Sequence, residues 1–277
     1  MMKIGFIDYY LDEWHANNYP QMIKELSGGR YEVSFAYGKI DSLLGGMTNR
    51  EWAEKNGVEL LGSIEEVIEK SDRLIVLSPD NPEMHEELCE LPLKSGKLVY
   101  VDKTFAPDRA TAERIFAHAK ANNTKCYSSS ALRFSSELKN IDKKDIHKIY
   151  SEGPGTYEMY SIHQIEPIVC LMESRAKQVM FTGECNHPSM IIKFEDGRYA
   201  QMYQTNDSPF RITVNKEDNS SNIYTIESDF FRLFLNELIN FFDTGVVPVS
   251  YEQTIDVIAV REAGLKAMNT PYKWVDV

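Results

Sequence analysis

The chain has 277 residues, 43% of them hydrophobic, and a net charge of −12 from 30 basic and 42 acidic side chains. A chain of this size can bury a large core in one or two domains. Its acidic balance repels a polyphosphate backbone, which argues against a nucleic-acid partner. No apolar run approaches the ~20 residues of a membrane-spanning helix, and the start of the chain becomes acidic at Asp8 before any signal-like stretch develops. We therefore expect a cytoplasmic globular protein without a membrane partner.

The cysteines give no sign of a metal centre or a disulfide framework. Four are present, none in a CxxC pair: Cys89, Cys126, Cys170 and Cys185. His85 would share a helix face with Cys89, and Cys185 lies two residues from His187, but neither pair has a third ligand. Ordinary packing is the favoured interpretation, and we predict no metal.

The first half of the chain alternates short apolar runs with longer amphipathic ones, a pattern typical of βαβ units. Strands are expected at 3–7, 31–36, 58–60, 73–77, 97–101 and 125–128. Helices are expected at 14–26, 49–55, 63–70, 82–88 and 108–121. Residues 1–130 should therefore form a Rossmann-like domain with a doubly wound parallel sheet.

After about residue 130 the pattern changes to longer strands with alternating polarity, expected at 190–194, 198–204, 210–215 and 222–226. One helix should open at His163, and two more should cover 229–242 and 251–268. Residues 131–277 are thus predicted to form an α+β domain with helices on one face of an open antiparallel sheet. The bare face should pair with a second copy, giving a homo-oligomer joined through the C-terminal sheet.

Several segments follow one another with the spacing of a known family. They are 57–59 with 63–68, then 71–79 with His85, then Gly96–Thr104 with Lys103 at the end of a buried strand, and finally His163–Glu166. Together they resemble the Gfo/Idh/MocA family, the relatives of glucose-fructose oxidoreductase and inositol dehydrogenase. The resemblance runs in order through nearly the whole chain.

The resemblance implies an oxidoreductase that uses NAD or NADP and acts on a small molecule, namely a sugar, a polyol or a related hydroxy compound. Lys103 and His163 match the two catalytic-site residues of the family. A substrate hydroxyl would give its proton to His163 while hydride leaves the same carbon. Lys103 would orient that hydroxyl and stabilise its developing charge. We expect both side chains to converge on one cleft.

Other positions follow from the same motifs. Arg133, Tyr160 and Glu158 are the candidate substrate contacts. A structural salt bridge is an equal alternative for Arg133, and packing is an equal alternative for Tyr160. Glu158 or Tyr160 would have to replace the family's aspartate four residues before His163, where Met159 stands. The candidate cofactor contacts are Asp8, Tyr10, Ser78, Pro79, Asp102 and Lys103.

The phosphate-binding loop departs from the family. The expected G-x-G-x-x-G corresponds to residues 6–15, which contain no glycine. Tyr9 and Tyr10 add bulk, and Asp8, Asp12 and Glu13 add negative charge near a helix start. We expect weak dinucleotide binding, and a non-catalytic binding or regulatory descendant of the fold is the alternative function. After the second strand only Lys39 favours a 2′-phosphate, so the choice between NAD and NADP is open.

Overall fold

The computed structural model describes residues 1–43, 45–184 and 186–277. They form two compact units: Met1–Ser129 with Phe234–Tyr251, and Ser130–Leu233 with Glu252–Val277. The division into domains 1–130 and 131–277 stays a prediction. Cys185, considered above beside His187, lies outside the described residues. Within the described ranges, no helix combines the length and apolarity needed to cross a membrane.

The first unit is built on six strands: β1 (Met2–Asp8), β2 (Tyr31–Gly38), β3 (Glu59–Leu60), β4 (Arg73–Val76), β5 (Val99–Val101) and β6 (Cys126–Tyr127). Its helices are α1 (Trp14–Leu26), α2 (Asn49–Asn56), α3 (Ile64–Lys70), α4 (His85–Cys89) and α5 (Arg109–Ala121). All strand pairs are parallel, in the order β3-β2-β1-β4-β5-β6. This is the order of doubly wound dinucleotide-binding sheets, so the predicted Rossmann-like sheet is confirmed. The expected helix at 82–88 is a 3₁₀ turn, Pro82–Met84, followed by α4.

The second half of the chain contributes α6 (Ser136–Lys139), β7 (Ile146–Gly153), α7 (Tyr157–Met172), β8 (Ala176–Phe181), β9 (Ser189–Phe194), β10 (Tyr199–Gln204), β11 (Arg211–Lys216), β12 (Ser221–Thr225), α8 (Phe230–Thr244), α9 (Tyr251–Met268) and β13 (Trp274–Asp276). Its sheet has the order β12-β11-β7-β10-β9-β8-β13. The predicted antiparallel sheet is confirmed, with one exception: β10 runs parallel to β7. In the described ranges, three strands have no counterpart among those expected from the sequence: β7, β8 and β13. In β7 the segment IHKIYSEG mixes charged residues into the apolar alternation.

The sheet of the second unit has one buried and one open face. Ile149, Ile192 and Ala200 are fully or almost fully buried, and α7 packs on β7 and β10. Strand register places Tyr150 opposite Gln201 on the other face. Tyr150 is 39% exposed and Tyr203 is 40% exposed. This face of the sheet therefore carries partly exposed tyrosines.

His163 does not open a helix, contrary to the sequence-based expectation. Helix α7 begins at Tyr157, directly after Thr156 in the N-cap position and the glycine at 155, which has φ of 77°. Residues 157–162 share the helical hydrogen bonds of the segment that follows them. His163 therefore lies in the second turn.

Most of α8 packs in the first unit. The Phe234 and Tyr100 rings lie 5.2 Å apart between centroids, and those of Phe241 and Tyr127 lie 5.0 Å apart. The Tyr31 hydroxyl donates to the Asp243 carboxylate at 2.9 Å. The chain thus returns to the core of the first unit after completing β12.

Candidate functional site

The loop between β1 and α1 ends in a glutamate that caps the helix. The Glu13 carboxylate accepts hydrogen bonds from the backbone N–H groups of His15, at 2.6 Å, and of Ala16. These amides carry the partial positive charge of the helix start, where anions commonly bind. Glu13 is only 9% exposed. A carboxylate of the chain itself therefore occupies the anion-binding end of α1.

Other amides of this loop are also paired within the chain. The N–H of Tyr9 donates to the Asp8 carboxylate at 2.7 Å, and the N–H of Leu11 donates to Asn49 Oδ1 at 2.9 Å. The N–H of Glu13 donates to the Leu11 carbonyl at 2.9 Å. Acceptors within the chain therefore pair these amides and fix the conformation of the loop.

A buried ion pair joins the first turn of α1 to the end of β5. His15 Nδ1 contacts the Asp102 carboxylate, which also accepts a hydrogen bond from the Tyr100 hydroxyl at 3.1 Å. Burial lowers the pKa of His15, but the charge of Asp102 outweighs it and raises that pKa overall. Burial raises the pKa of Asp102, but His15 and then Lys103 lower it overall. The pair is therefore ionised inside the first unit.

Two further carboxyl groups are buried near this pair. Burial, and then the charge of Glu13, raise the pKa of Asp8 well above its usual range. Burial raises the pKa of Glu13 to about 7, although His15 opposes the shift. Asp8 Oδ2 has no hydrogen-bond partner among the described residues. We call Asp8, Glu13, His15 and Asp102 the acidic cluster.

Lys103 follows β5 and is fixed by neighbouring carbonyl and carboxylate oxygens. Its side chain is 14% exposed, and its Nζ lies 3.3 Å from the Pro79 carbonyl and 3.5 Å from Asp80 Oδ1. Its backbone N–H donates to Asp102 Oδ1 at 2.8 Å. The ammonium group is therefore held against the turn after β4, and the backbone of Lys103 is held against Asp102.

The candidate cofactor contacts of the first unit lie at or just after the carboxyl ends of strands. Ser78 has φ of 89°, and its hydroxyl donates to the Asn81 carbonyl at 3.1 Å. Tyr10 is 9% exposed, and burial, then Asp80, raise the pKa of its hydroxyl. The structure brings these residues to the carboxyl ends of β1, β4 and β5: Asp8, Tyr10, Ser78, Pro79, Asp102 and Lys103. Their contact with a cofactor stays a prediction.

His163 is oriented by groups of the second unit. The Ser130 hydroxyl lies 2.7 Å from His163 Nδ1, and the Ser130 N–H donates to the Glu166 carboxylate at 2.6 Å. Glu166 lies three residues after His163 and so shares its face of α7. The rings of Tyr160 and Phe210 approach the imidazole edge-on, with centroids 5.7 and 5.9 Å away. The imidazole is therefore held in one orientation.

Arg133 contacts the same carboxylate. Its Nη1 lies 3.5 Å from Glu166 Oε1, and its Nη2 donates to Gln253 Oε1 at 2.6 Å. The salt-bridge alternative for Arg133 is therefore formed. Glu158 and Tyr160 are exposed, Tyr160 by 42%. Contact of these three residues with a substrate stays a prediction, as does the convergence of Lys103 with His163.

Three functional candidates are not among the site residues predicted from the sequence. Ser130 and Glu166 surround His163, and the spacing of Glu166 on the helix face was the available signal. His15 pairs with Asp102 across 87 positions of sequence, and no local pattern marks such a contact.

The described residues contain no group of three or more His, Cys, Asp and Glu side chains arranged to hold a metal ion. His85 is fully buried, and its ring nitrogens lie 2.7 Å from the Leu77 carbonyl and 3.1 Å from the Phe105 carbonyl. Burial lowers the pKa of His85. This histidine is therefore part of the packing of β4 and α4.

Comparison with known proteins gives a likeness in structure. No family model matches the chain, and no curated protein matches its sequence. A probable dehydrogenase from Thermotoga maritima superposes with a TM-score of 0.81 at 17% identity, over 99% of this chain and 98% of that one. Scyllo-inositol dehydrogenase from Lactobacillus casei, solved with NAD(H) and scyllo-inositol, gives 0.78 at 16% identity, over 99% and 98%. GenD2 from gentamicin A biosynthesis, solved with NAD, gives 0.78 at 11% identity, over 100% and 97%.

The chain has the fold of these dehydrogenases. The fold that the Gfo/Idh/MocA resemblance implied is therefore confirmed over the whole length. At these identities the likeness concerns the fold alone.

Within this dehydrogenase fold, the β1–α1 loop as it stands does not fit a pyrophosphate. Dinucleotide-binding loops place backbone N–H groups and a helix start against the phosphates. Here the Glu13 carboxylate holds the amides of His15 and Ala16, and Asp8 is buried beside it. A phosphate would meet occupied donors and a second carboxyl group.

In dinucleotide-binding sheets the ribose lies near the end of the second strand. A cavity of about 700 Å³ lies at the carboxyl end of β2 and is lined in part by Tyr37, Lys39 and Arg50. The Lys39 Nζ lies 2.6 Å from both carboxylate oxygens of Glu87. The charge of Lys39 is therefore already paired, and the choice between NAD and NADP stays open.

The acidic cluster predicts that stability falls as pH rises. The folded-state pKa of Glu13, about 7, exceeds its ordinary 4.5, so the native state holds more protons and loses stability as pH rises between these values. The raised pKa of His15 acts in the same direction from about 6.5 upward. Urea unfolding should therefore give a lower free energy at about pH 8 than at about pH 5. Glu13→Gln should flatten the lower part of this slope.

Glu65→Gln, at an exposed glutamate on α3, is the control and should keep the wild-type slope. A wild-type stability that rises with pH across this range would contradict the raised pKa of Glu13.

Proposed function

We propose that the protein is an oxidoreductase of the dehydrogenase type that acts on a small hydroxy compound, such as a sugar or polyol. The observation that carries this proposal is the hydrogen bond between Ser130 and His163 Nδ1 at 2.7 Å. A proton acceptor must present its ring in a fixed orientation, and this bond provides one. The whole-length dehydrogenase fold supports the same reaction class.

In this proposal His163 takes the proton of the substrate hydroxyl. The nearby Glu166 carboxylate accepts from the Ser130 N–H and contacts Arg133. Because Ser130 connects Glu166 to the imidazole, the carboxylate keeps the ring in place. This arrangement takes over the positioning role of the acidic residue that Met159 replaces.

Lys103 is the proposed second catalytic group. Its ammonium lies 3.3 Å from the Pro79 carbonyl and 3.5 Å from the carboxylate of Asp80, a side chain that is 42% exposed, so a substrate oxygen can replace the longer contact. A positive charge at this point orients the hydroxyl and stabilises the negative charge that develops as the proton leaves.

A nicotinamide nucleotide, NAD or NADP, is the proposed redox partner, because it supplies a hydride acceptor when bound. NAD is present in the solved GenD2 and in the solved scyllo-inositol dehydrogenase. The misfit of the β1–α1 loop predicts that such a cofactor binds weakly here. We propose a cytoplasmic location, in keeping with the absence of disulfide-type cysteine spacing.

The second candidate is a binding or regulatory protein that has kept the fold without turnover. The specific observation in its favour is the Glu13 carboxylate on the start of α1. Turnover assays at millimolar cofactor with a panel of sugars and polyols separate the two candidates, because saturating cofactor offsets weak binding. Absence of turnover with a small ligand still bound would favour the second.

If turnover is found, His163→Ala should lower kcat by a factor of ~10² to 10⁴, with a smaller effect on KM, because a general base acts as the proton moves. Lys103→Ala should change both kcat and KM, because the ammonium acts before and during proton transfer. Steady-state kinetics of both variants and of the double variant test whether the two groups act on one substrate.

The matched controls are His147→Ala, at an exposed histidine on β7, and Lys94→Ala, at a lysine before β5. Both should keep wild-type kinetics. Full activity in His163→Ala would remove histidine from the proposed chemistry.

We also propose that the open face of the second sheet joins copies of the chain. Tyr150 and Tyr203 lie on that face, and Trp274, 40% exposed, continues it on β13. Exposed aromatic patches of this kind are typical of self-association surfaces. Light scattering at micromolar concentration should give a dimer or larger assembly.

Tyr203→Glu should shift that assembly toward monomer by burying a charge in the contact. Tyr272→Glu, at a 70% exposed tyrosine outside the strands, is the control and should leave the mass unchanged. A monomeric wild-type protein would refute the proposed contact.

A further inference from the structure

The start of α1 already holds an anion. Helix α1 has 13 residues. The backbone N–H groups of His15 and Ala16 are among those at the helix start that have no acceptor within the helix. Both donate to the carboxylate of Glu13, the N-cap residue of the same helix. Two convergent N–H groups on two oxygens of one anion reproduce the way a helix start holds a phosphate group.

The remainder of the loop is shaped around that contact. Leu11 is pinned through its N–H to Asn49, and the N–H of Glu13 returns to the Leu11 carbonyl. Asp12 Oδ2 accepts a hydrogen bond from the N–H of Met47 at 2.8 Å. These contacts therefore fix the loop from within the chain, and the Glu13 side chain completes them at the start of α1.

A second observation points to a ligand at the same place. Asp8 ends β1, is 1% exposed, and leaves Oδ2 without a partner among the described residues. Its other oxygen, Oδ1, accepts from the N–H of Tyr9. A buried carboxyl oxygen left unpaired costs stability unless it is protonated or meets a ligand. Burial and the Glu13 charge favour the protonated form, which can donate a hydrogen bond to an oxyanion.

We propose that the Glu13 side chain is an internal competitor for a phosphate group, which occupies the amides at the start of α1 and masks a phosphate-binding site formed there with Asp8. The chemical class of the masked ligand is a phosphate ester or a pyrophosphate. Weak binding of a dinucleotide follows from occupation of the site, and the missing glycines are not its main cause. This inference goes beyond the proposed function, because it concerns binding alone.

The test is to measure binding of NAD and of inorganic pyrophosphate by calorimetry at about pH 8.5, where Glu13 is ionised. Glu13→Gly removes the occupant, and glycine accepts the backbone at this position, which has φ of −135° and ψ of 170°. We expect affinity for both probes to rise at least about tenfold over the wild type, since charge-assisted hydrogen bonds become available to the ligand.

Two further variants separate occupation from charge. Glu13→Gln keeps a side chain of the same size whose oxygen can still accept from the amides, so its gain in affinity should be clearly smaller than that of Glu13→Gly. Asp8→Asn removes a carboxyl group but leaves the amides occupied, so it should give no comparable gain. A gain in Glu13→Gln or Asp8→Asn equal to that in Glu13→Gly would overturn the proposal, because charge alone would then explain the effect.

Controls cover folding and ligand identity. Asp108→Gly removes another carboxylate cap, which accepts from the Thr111 N–H at 2.7 Å at the start of α5, and should leave NAD affinity unchanged. Adenosine, which carries no phosphate, should bind the wild type and Glu13→Gly equally. If Glu13→Gly does not fold, Glu13→Ser keeps a short cap and should give a smaller gain of the same kind.

The remaining outcomes are also decisive. Wild-type protein that binds NAD at low micromolar concentration would overturn the proposal, as would folded Glu13→Gly and Glu13→Ser variants that bind no more tightly than the wild type. Neither result depends on turnover, so failure of this inference is distinguishable from failure of the proposed oxidoreductase activity.

Discussion

The buried ion pair between His15 and Asp102 is the interaction on which the first unit depends. Four ionisable side chains lie in the acidic cluster, and burying a charge without a partner is costly. The pair neutralises Asp102, while Asp8 and Glu13 respond to burial with raised pKa values. Since His15 lies in the first turn of α1 and Asp102 directly follows β5, this contact also fixes the helix start over the sheet edge.

That constraint explains how a dehydrogenase fold can carry so unusual a loop. Glycines normally let the backbone approach a pyrophosphate. Without them, the helix start still needs a negative group, because its free amides are unsatisfied. Glu13 meets that need from within the chain, which stabilises the fold and removes the usual phosphate contact in the same step. The fold is therefore kept without the phosphate contact that usually accompanies it, and such independence of fold and ligand is common for widely used folds.

In the second unit a connected polar network, and not a single buried ion pair, orders the side chains around His163. Its polar network of Ser130, His163, Glu166 and Arg133 is partly buried and connected from end to end. Networks of this kind hold a side chain more firmly than a single contact does. Met159 in place of the aspartate that the family resemblance implies is therefore compatible with an ordered imidazole, because the supporting carboxylate is that of Glu166, three residues after His163.

Local pattern in the sequence determined the βαβ order, the bounds of α1 and α9, and the place of Lys103 after a buried strand, since apolar periodicity and short motifs depend on neighbouring residues. It also marked the loss of glycine and the excess of acid at residues 8–13. Only the tertiary structure decided that His15 pairs with Asp102, that Ser130 supports His163, and that β7 lies beside β10. Each of these contacts joins residues far apart in the chain, where chain folding and burial, and not local preference, select the partner.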